Sequence, residues 1–114
     1  MADCLFCRLI AREIPASIVY EDDRVIAFND INPQGPTHVL VVPKRHIATL
    51  NDLTPEDDAI VGEVVRRAAS IAADRGIAAG GFRVVFNTNR DAGQTVFHIH
   101  LHLIGGRSLA WPPG

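Results

Sequence analysis

The stretch His98-Ile99-His100-Leu101-His102-Leu103-Ile104 decides how this chain folds. Histidine and apolar residues alternate strictly along it, and successive side chains of a β-strand point to opposite faces of a sheet. The pattern predicts a strand over residues 95–104, with three imidazoles on one face and apolar side chains in a core on the other. A helix would spread the same imidazoles around its axis. The row therefore indicates a site for a metal, for an anion, or for proton and nucleophile chemistry.

The composition is that of a small globular domain. The chain has 114 residues, of which 47% are hydrophobic, and a formal net charge of −2. This length suits one compact domain over residues 1–114. The weak charge favours neither nucleic acid nor an anionic membrane as a partner, and no apolar run is long enough for a membrane-spanning helix. Because the N-terminus has no signal-peptide pattern, we expect a cytoplasmic protein.

The segments around the histidine row predict an α+β domain. Apolar residues at helical spacing predict a short helix over residues 4–13 and a long one that opens at Thr54-Pro55 and closes at Gly76. Apolar runs predict further strands at residues 17–20, 25–29, 37–42 and 82–87. Since mostly short turns join these strands, we expect a five-stranded antiparallel sheet carrying the long helix.

Two loops carry candidate ligand groups. Asp91-Ala92-Gly93-Gln94-Thr95 leads into the histidines, and its glycine would let backbone N–H groups converge on an anion while the threonine adds a hydroxyl. Asn87, on the neighbouring predicted strand, would add an amide. Asp30 opens a loop with two prolines and a glycine, where its carboxylate would accept hydrogen bonds from a ribose diol or serve only as a turn residue. Beside three histidines, these groups favour a phosphate site.

Three interpretations of the histidine row stay open at this point. It is a solvated sheet face, a set of ligands to a catalytic zinc, or a catalytic group in which one neutral imidazole attacks phosphorus and a second protonates the leaving group. The anion-type loop favours the third. The pair Cys4-x-x-Cys7 is typical of half a metal site in a reducing compartment, or else of two buried free thiols.

Taken together, these motifs resemble the histidine-triad (HIT) superfamily. The likeness is carried by the histidine row, by Gly93-Gln94-Thr95-Val96-Phe97, by Phe28-Asn29-Asp30-Ile31-Asn32-Pro33-Gln34, and by Pro36-Thr37-His38 and Pro43-Lys44-Arg45-His46. The C-terminal Trp111-Pro112-Pro113-Gly114 resembles the Hint branch in particular. The resemblance implies a HIT-like fold and a homodimer in which two five-stranded sheets join into one ten-stranded sheet.

The resemblance also implies an activity, the hydrolysis of purine nucleoside phosphoramidates such as AMP or GMP joined to an amine. His100 would be the nucleophile that forms a nucleotidyl-histidine, and His102 would bind the phosphate and protonate the amine. His98 and His38 would orient these rings. The resemblance further implies that Asp30 binds the ribose and that Asn87, Gly93 and Thr95 bind the phosphate, with Gln94 and Val96 in the same loop. The residues implied at the base are Leu5, Phe6, Leu9, Ile14, Phe28 and Ile31. Trp111 would lie near the partner subunit's site.

The cysteine pair looks like one found in several bacterial members of the superfamily, where it joins two histidines to bind zinc. The matching residues here would be His46 and His98, which with Cys4 and Cys7 give a structural Cys2His2 site. Thr95 stands where many Hint proteins have serine, and the hydroxyl is kept. Two other functions stay open: a dinucleoside polyphosphate hydrolase of the Fhit kind, against which the short length and C-terminal motif argue, and a non-catalytic nucleotide-binding scaffold dimer.

Overall fold

A computed structural model describes residues 3–114, which form one antiparallel sheet with helices on its two faces. The elements are α1 (Leu5–Ile10), β1 (Ile18–Glu21), β2 (Val25–Asn29), β3 (Thr37–Pro43), α2 (Asp58–Asp74), β4 (Phe82–Val85), α3 (Asn89–Ala92) and β5 (Leu101–Gly105), with 3₁₀ turns at Leu50–Asp52 and Pro55–Asp57. The strands lie in the order β1-β2-β3-β5-β4 and all pairs are antiparallel. The predicted α+β class and five-stranded antiparallel sheet are confirmed.

The long helix covers one face of the sheet. Thr54 occupies the N-cap position of the 3₁₀ turn before it, and the Asp57 carboxylate accepts the backbone N–H of Thr54 at 2.9 Å. Apolar side chains recur along α2 at helical spacing and are buried, namely Ile60, Val64, Ala68, Ile71 and Ala72. They pack on alternate residues of the central strands, including Val39, Val41, Leu101 and Leu103. Gly76 follows the helix at φ 75°, a conformation that glycine adopts without strain.

The short helix covers part of the opposite face. Cys4 caps α1, since its Sγ accepts a hydrogen bond from the backbone N–H of Cys7 at 3.3 Å. The helix ends at Ile10, before the predicted limit at residue 13. Its buried side chains and those of β2 and β3 form a small core of Phe6, Leu9, Ile26, Phe28, Leu40 and Val42. The cysteine pair is therefore held at the start of a helix that packs on the sheet.

The histidine row is only partly a strand, so the predicted strand over residues 95–104 was wrong. β5 begins at Leu101, and the residues before it bend. The backbone N–H of Ile99 donates at 2.7 Å to the carbonyl of Ile47, in the connection after β3, instead of continuing the sheet ladder. His98 and His100 thus precede the sheet, and only His102 lies in it. Ile99, Leu101 and Leu103 are buried in the core as predicted.

The end of β4 also differs from the prediction. The strand stops at Val85, which leaves Asn87 half-buried in the connection to α3. The predicted turn over residues 88–93 contains the single helical turn α3, which ends at Gly93 with φ 82°. Among residues 3–114, no helix combines the length and the apolar character needed to cross a membrane.

Candidate functional site

The sheet register brings two histidines together. His102 lies opposite Leu40, and His38 lies opposite Ile104, in the ladder between β3 and β5. His38 and His102 are therefore diagonal neighbours on one face of the sheet. Nε2 of His38 lies 2.9 Å from Nδ1 of His102. The ring of His100, just before β5, stands with its centroid 4.9 Å from that of His102.

Backbone and side-chain partners determine where the protons of two of these rings lie. The backbone N–H of Gln34 donates to Nδ1 of His38 at 3.0 Å, so the neutral His38 ring carries its proton on Nε2. This Nε2–H donates to Nδ1 of His102, which leaves His102 with its proton on its own Nε2. The Asp30 carboxylate lies 3.4 Å from Nε2 of His38.

His100 has the opposite tautomer. Its Nδ1 lies 2.8 Å from the backbone carbonyl oxygen of His98. Because a carbonyl only accepts, Nδ1 carries the proton and Nε2 keeps a free lone pair. The site therefore pairs an unprotonated Nε2 on His100 with an Nε2–H on His102. The first can act as a nucleophile, whereas the second donates a hydrogen bond and becomes a general acid when the ring takes up a second proton.

Burial keeps these rings neutral. His38 and His100 are 5% and 8% exposed, and burial lowers the pKa of both. The pKa of His102 falls to about 4, chiefly because of burial and further because His100 and His38 are close. The ring of Phe6 stands edge-on to His100, with centroids 5.0 Å apart. A neutral imidazole at physiological pH has the lone pair that nucleophilic attack requires.

An apolar pocket of about 200 Å³ lies beside α1 and the end of β2. Every residue predicted to wall a base lines it, namely Leu5, Phe6, Leu9, Ile14, Phe28 and Ile31. Asp30 lines it too, and its Oδ1 accepts the backbone N–H of Asn32 at 2.8 Å. The apolar walls suit a planar ring system, and the Asp30 carboxylate can accept hydrogen bonds from hydroxyl groups on a unit attached to that ring.

The predicted phosphate loop lies between α3 and the histidines. Gly93 ends α3 in the left-handed conformation, and Thr95 is exposed. Thr95 and Val96 line a wider hollow with Cys4, Leu5 and His46. Gln94 is 6% exposed and its carboxamide is bonded within the protein. Trp111, by contrast, is 83% exposed.

A second group of chemically active side chains consists of Cys4, Cys7, His46 and His98. One ligand atom from each lies within 4.8 Å of the others. Nδ1 of His98 is 3.4 Å from Sγ of Cys4 and 3.6 Å from Sγ of Cys7, and Nδ1 of His46 is 3.3 Å from Sγ of Cys7. Zinc–ligand bonds of about 2.0–2.3 Å in a tetrahedron place neighbouring ligand atoms about 3.3–3.8 Å apart, so this spacing fits a four-coordinate metal.

The ring of His98 belongs to this group rather than to the pair formed by His100 and His102. Its Nε2–H donates to the carbonyl of Pro43 at 2.7 Å, which leaves Nδ1 unprotonated and facing the two sulfurs. A carbonyl on the far nitrogen is the usual way in which a metal-binding histidine is oriented. Because both nitrogens of His98 are used here, a zinc held jointly by His98, His100 and His102 does not fit this geometry.

The chemistry of the four side chains also suits a cation. Burial raises the pKa of the Cys7 thiol, and so does the neighbouring Cys4. A metal ion opposes this effect, because it favours the thiolate and releases the proton. Two thiolates and two imidazoles close a tetrahedral shell with no open position, which is typical of a structural zinc site and not of a catalytic one.

The groups that fix the tautomers were missed in the sequence. They are backbone atoms, namely the N–H of Gln34 and the carbonyls of Pro43 and His98. No side-chain pattern marks them, because any residue type offers the same backbone groups. The double contact of Phe6, which lines the pocket and packs against His100, was also not predicted.

The fold and site define a class: an α+β domain that sets two imidazoles of opposite tautomer beside an apolar pocket. The family model for the HIT domain matches residues 11–109, and the chain belongs to this family. The chain is 53% identical to an uncharacterised HIT-like protein of Synechocystis over 112 residues, covering 98% of this chain and 97% of that protein. It is 50% identical to the purine nucleoside phosphoramidase of Escherichia coli K12 over 107 residues, covering 94% and 90%.

Solved structures agree with this assignment. A HIT family hydrolase from Legionella pneumophila superposes with a TM-score of 0.97 at 50% identity, covering 98% of this chain and 100% of that one. A histidine triad protein from Clostridium difficile gives 0.93 at 44% identity, covering 96% of each chain. The resemblance to the HIT superfamily is confirmed.

Proposed function

We propose that the protein is a purine nucleoside phosphoramidase, which hydrolyses AMP– or GMP–amine conjugates through a nucleotidyl-histidine intermediate. The observation that carries the proposal is the opposite protonation of His100 and His102, a nucleophile next to a proton donor. The E. coli relative, named for this activity, supports the choice of substrate class.

In the first step, Nε2 of His100 attacks the α-phosphorus and the P–N bond breaks. The amine leaves with a proton from Nε2 of the imidazolium form of His102, which becomes a neutral ring. In the second step, water attacks the same phosphorus and the P–Nε2 bond breaks, which releases the nucleoside monophosphate and returns a proton to His102. Burial lowers the pKa of His102 in the free protein, whereas the phosphoryl anion of a bound substrate favours its protonated form.

The nucleotide has a consistent place around this pair. The base enters the apolar pocket beside α1, and the Asp30 carboxylate accepts hydrogen bonds from the ribose. Asn87, Gly93 and Thr95 hold phosphate oxygens. The Thr95 hydroxyl belongs to an exposed side chain, so it is accessible to a ligand. His38, bonded to Gln34 on one side and His102 on the other, orients the proton donor.

Zinc is the metal proposed for Cys4, Cys7, His46 and His98, because two thiols and two imidazoles at tetrahedral spacing match its preferred ligands. When bound, zinc supplies a cross-link and no chemistry at phosphorus. The four side chains join the start of α1, the connection after β3 and the segment before β5. The segment that carries His100 would thereby be fastened to two other parts of the fold.

The remaining proposals concern assembly and location. The edge strands β1 and β4 leave sheet edges for a second copy, as a homodimer with one ten-stranded sheet requires. In that dimer, Trp111 would reach the partner subunit's site. Light scattering of the purified protein tests the dimer. That residues 1–114 form a single cytoplasmic HIT domain also stays a prediction.

The test of function is hydrolysis of an adenosine 5′-phosphoramidate by the wild type and by His100→Asn. The wild type should release AMP, and the variant should lose activity by at least about a thousandfold because no other group can form the intermediate. AMP binding, measured by calorimetry, should stay within about threefold in the variant, since the base pocket is intact. Full activity of His100→Asn would contradict the proposal. Faster cleavage of diadenosine triphosphate than of the phosphoramidate would favour the Fhit-like alternative.

A further inference from the structure

The side chain of Gln94 is fully engaged within the protein. Its Oε1 accepts the backbone N–H of Asn89 at 2.9 Å. Its Nε2 donates to the carbonyl of Ala48 at 2.8 Å and to that of Val96 at 3.1 Å. An amide nitrogen has two hydrogens, so neither is left for a substrate oxygen. The two carbonyls and the N–H also fix which end of the carboxamide is which.

These bonds close the turn that contains α3. Asn89 has φ 64°, a left-handed conformation that non-glycine residues seldom adopt. Its carbonyl accepts the backbone N–H of Gln94 at 3.0 Å, and its own N–H donates to the Gln94 side chain. One residue therefore satisfies both backbone groups of Asn89, and the unusual conformation is held in place by Gln94.

The same side chain fastens the loop to another part of the fold. Ala48 lies in the connection after β3, next to Ile47, whose carbonyl accepts the backbone N–H of Ile99. The hydrogen bonds from Gln94 to Ala48 and from Ile99 to Ile47 are therefore two anchors, and both reach the same connection at adjacent residues. The segment between them contains Thr95 and leads to His100, so its position depends on both anchors.

We propose that Gln94 is a positioning residue, which holds the phosphate loop against residues 47–48 and does not itself touch the nucleotide. The inference rests on the proposed function, in which this loop holds the phosphate. Removal of the carboxamide takes away the Gln94 partners of the carbonyl of half-buried Ala48 and of the N–H of exposed Asn89. The loop is then released from residues 48 and 89, because these hydrogen bonds are the links that the Gln94 side chain makes to them.

Two variants separate this role from others. Gln94→Met keeps the shape and removes all three side-chain bonds, whereas Gln94→Glu keeps the acceptor for Asn89 and sets an oxygen against two carbonyls. Asn51→Asp is the matched control, since it makes the same amide-to-carboxylate change at an exposed residue of a nearby turn. The readouts are the affinities for adenosine and for AMP, turnover of an adenosine phosphoramidate, and the thermal midpoint.

Both Gln94 variants should bind AMP about tenfold more weakly and turn over about a hundredfold more slowly, since displacement of about 1 Å near the reacting atoms has effects of this size. Adenosine, which has no phosphate, should bind within about twofold of the wild type, and Asn51→Asp should match the wild type throughout.

Three results would overturn the proposal. One is wild-type AMP binding and turnover in Gln94→Met. Another is equal loss of adenosine and AMP binding with a lower thermal midpoint in both variants, which would make Gln94 a general structural residue. A third is loss in Gln94→Glu alone, which would indicate charge repulsion of the phosphate. If the wild type itself fails to cleave the phosphoramidate, the proposed function fails, while the comparison of adenosine with AMP still decides the role of Gln94.

Discussion

His98 and His100 are two residues apart in one repeated pattern, yet the fold uses them differently. Both nitrogens of His98 have partners, since one donates to Pro43 and the other faces two cysteine sulfurs. His100 has one nitrogen bonded to a carbonyl and one free. In both rings a backbone carbonyl accepts the proton of one nitrogen, so the difference lies at the other nitrogen, which faces two sulfurs in His98 and has no partner among residues 3–114 in His100. The comparison teaches that the surroundings of this second nitrogen separate the proposed metal ligand from the proposed nucleophile.

The two regions are also joined. The carbonyl that fixes the tautomer of His100 belongs to His98, whose ring lies in the metal cluster. The ring of Phe6 packs edge-on against both imidazoles. Its centroid lies 6.0 Å from the ring centroid of His98 and 5.0 Å from that of His100. The proposed metal site can therefore influence the rate of the proposed reaction, because His98 supplies the carbonyl that positions His100.

The largest effect is expected on the catalytic side, from His102→Asn. Loss of a general acid should slow cleavage of an alkylamine conjugate of AMP by about a hundredfold to a thousandfold. The same variant should cleave an AMP ester of a good leaving group, such as p-nitrophenolate, at a rate within about tenfold of the wild type, since that group leaves without a proton. Steady-state kinetics on the two substrates measures the difference. Equal losses on both would show that His102 is not the proton donor.

Metal removal should act mainly on the other region. Cys7→Ser, or prolonged chelation, should lower the free energy of unfolding by about 3–4 kcal/mol, the stabilisation that a ligand gives at 100 to 1,000 times its dissociation constant. Denaturant unfolding with and without added zinc measures this. The affinity for AMP should change less than the free energy of unfolding, because neither Cys4 nor Cys7 lines the apolar pocket beside α1. Unchanged unfolding after complete loss of the metal would contradict a structural role.

Acid should destabilise the catalytic region. His102 binds a proton below about pH 6.5 in the unfolded chain but only near pH 4 in the folded one. The unfolded state therefore holds more protons between these values, and stability should fall by about 2–3 kcal/mol as the pH drops from 6.5 to 4. His102→Asn should remove this part of the pH dependence, as followed by denaturant unfolding at several pH values. An identical acid slope in the variant would refute the assignment.

The smallest effect is expected from Phe6→Leu, which changes the wall that the two regions share. The variant should lose about 1–2 kcal/mol of stability, because it removes edge-on aromatic contacts and leaves a small cavity. It should also slow turnover severalfold, because the smaller side chain packs less tightly against the ring of His100. Leu9→Ala is the comparison, since Leu9 lines the same pocket. An unchanged rate in Phe6→Leu would contradict a role for Phe6 in positioning His100, and equal slowing in both variants would show that Phe6 acts only through the pocket.

Much of the fold could be predicted from the sequence, because it depends on patterns that the residues themselves carry. The long helix was predicted from its apolar period, from Thr54 at its start and from Gly76 after its end. Alternation predicted that Leu101 and Leu103 are core residues. The bend before β5 could not be predicted. Alternation predicts which residues are buried, but it does not show where a strand begins. His98 is buried like its apolar neighbour Ile99, instead of being exposed on a sheet face.

The candidate site divides in the same way. Cys4, Cys7, His46 and His98 came together as the resemblance implied, and the apolar side chains predicted to wall a base line one pocket. That the pocket binds a base stays a prediction. The role inferred for Gln94 differs from the predicted one, since its bonds run to backbone atoms far away in sequence. Contacts of this kind depend on where two connections meet in space, and no spacing along the chain encodes them.

The division of the histidine row is tested most directly by metal content and ligand type in two variants. Purified wild-type protein, His98→Asn and His100→Asn would be compared by zinc analysis and by X-ray absorption at the zinc edge. The wild type and His100→Asn should each hold about one zinc per chain with two sulfur and two nitrogen ligands, and His98→Asn should lose most of it. Loss of the metal in His100→Asn, or a shell of three nitrogens without sulfur, would contradict the account.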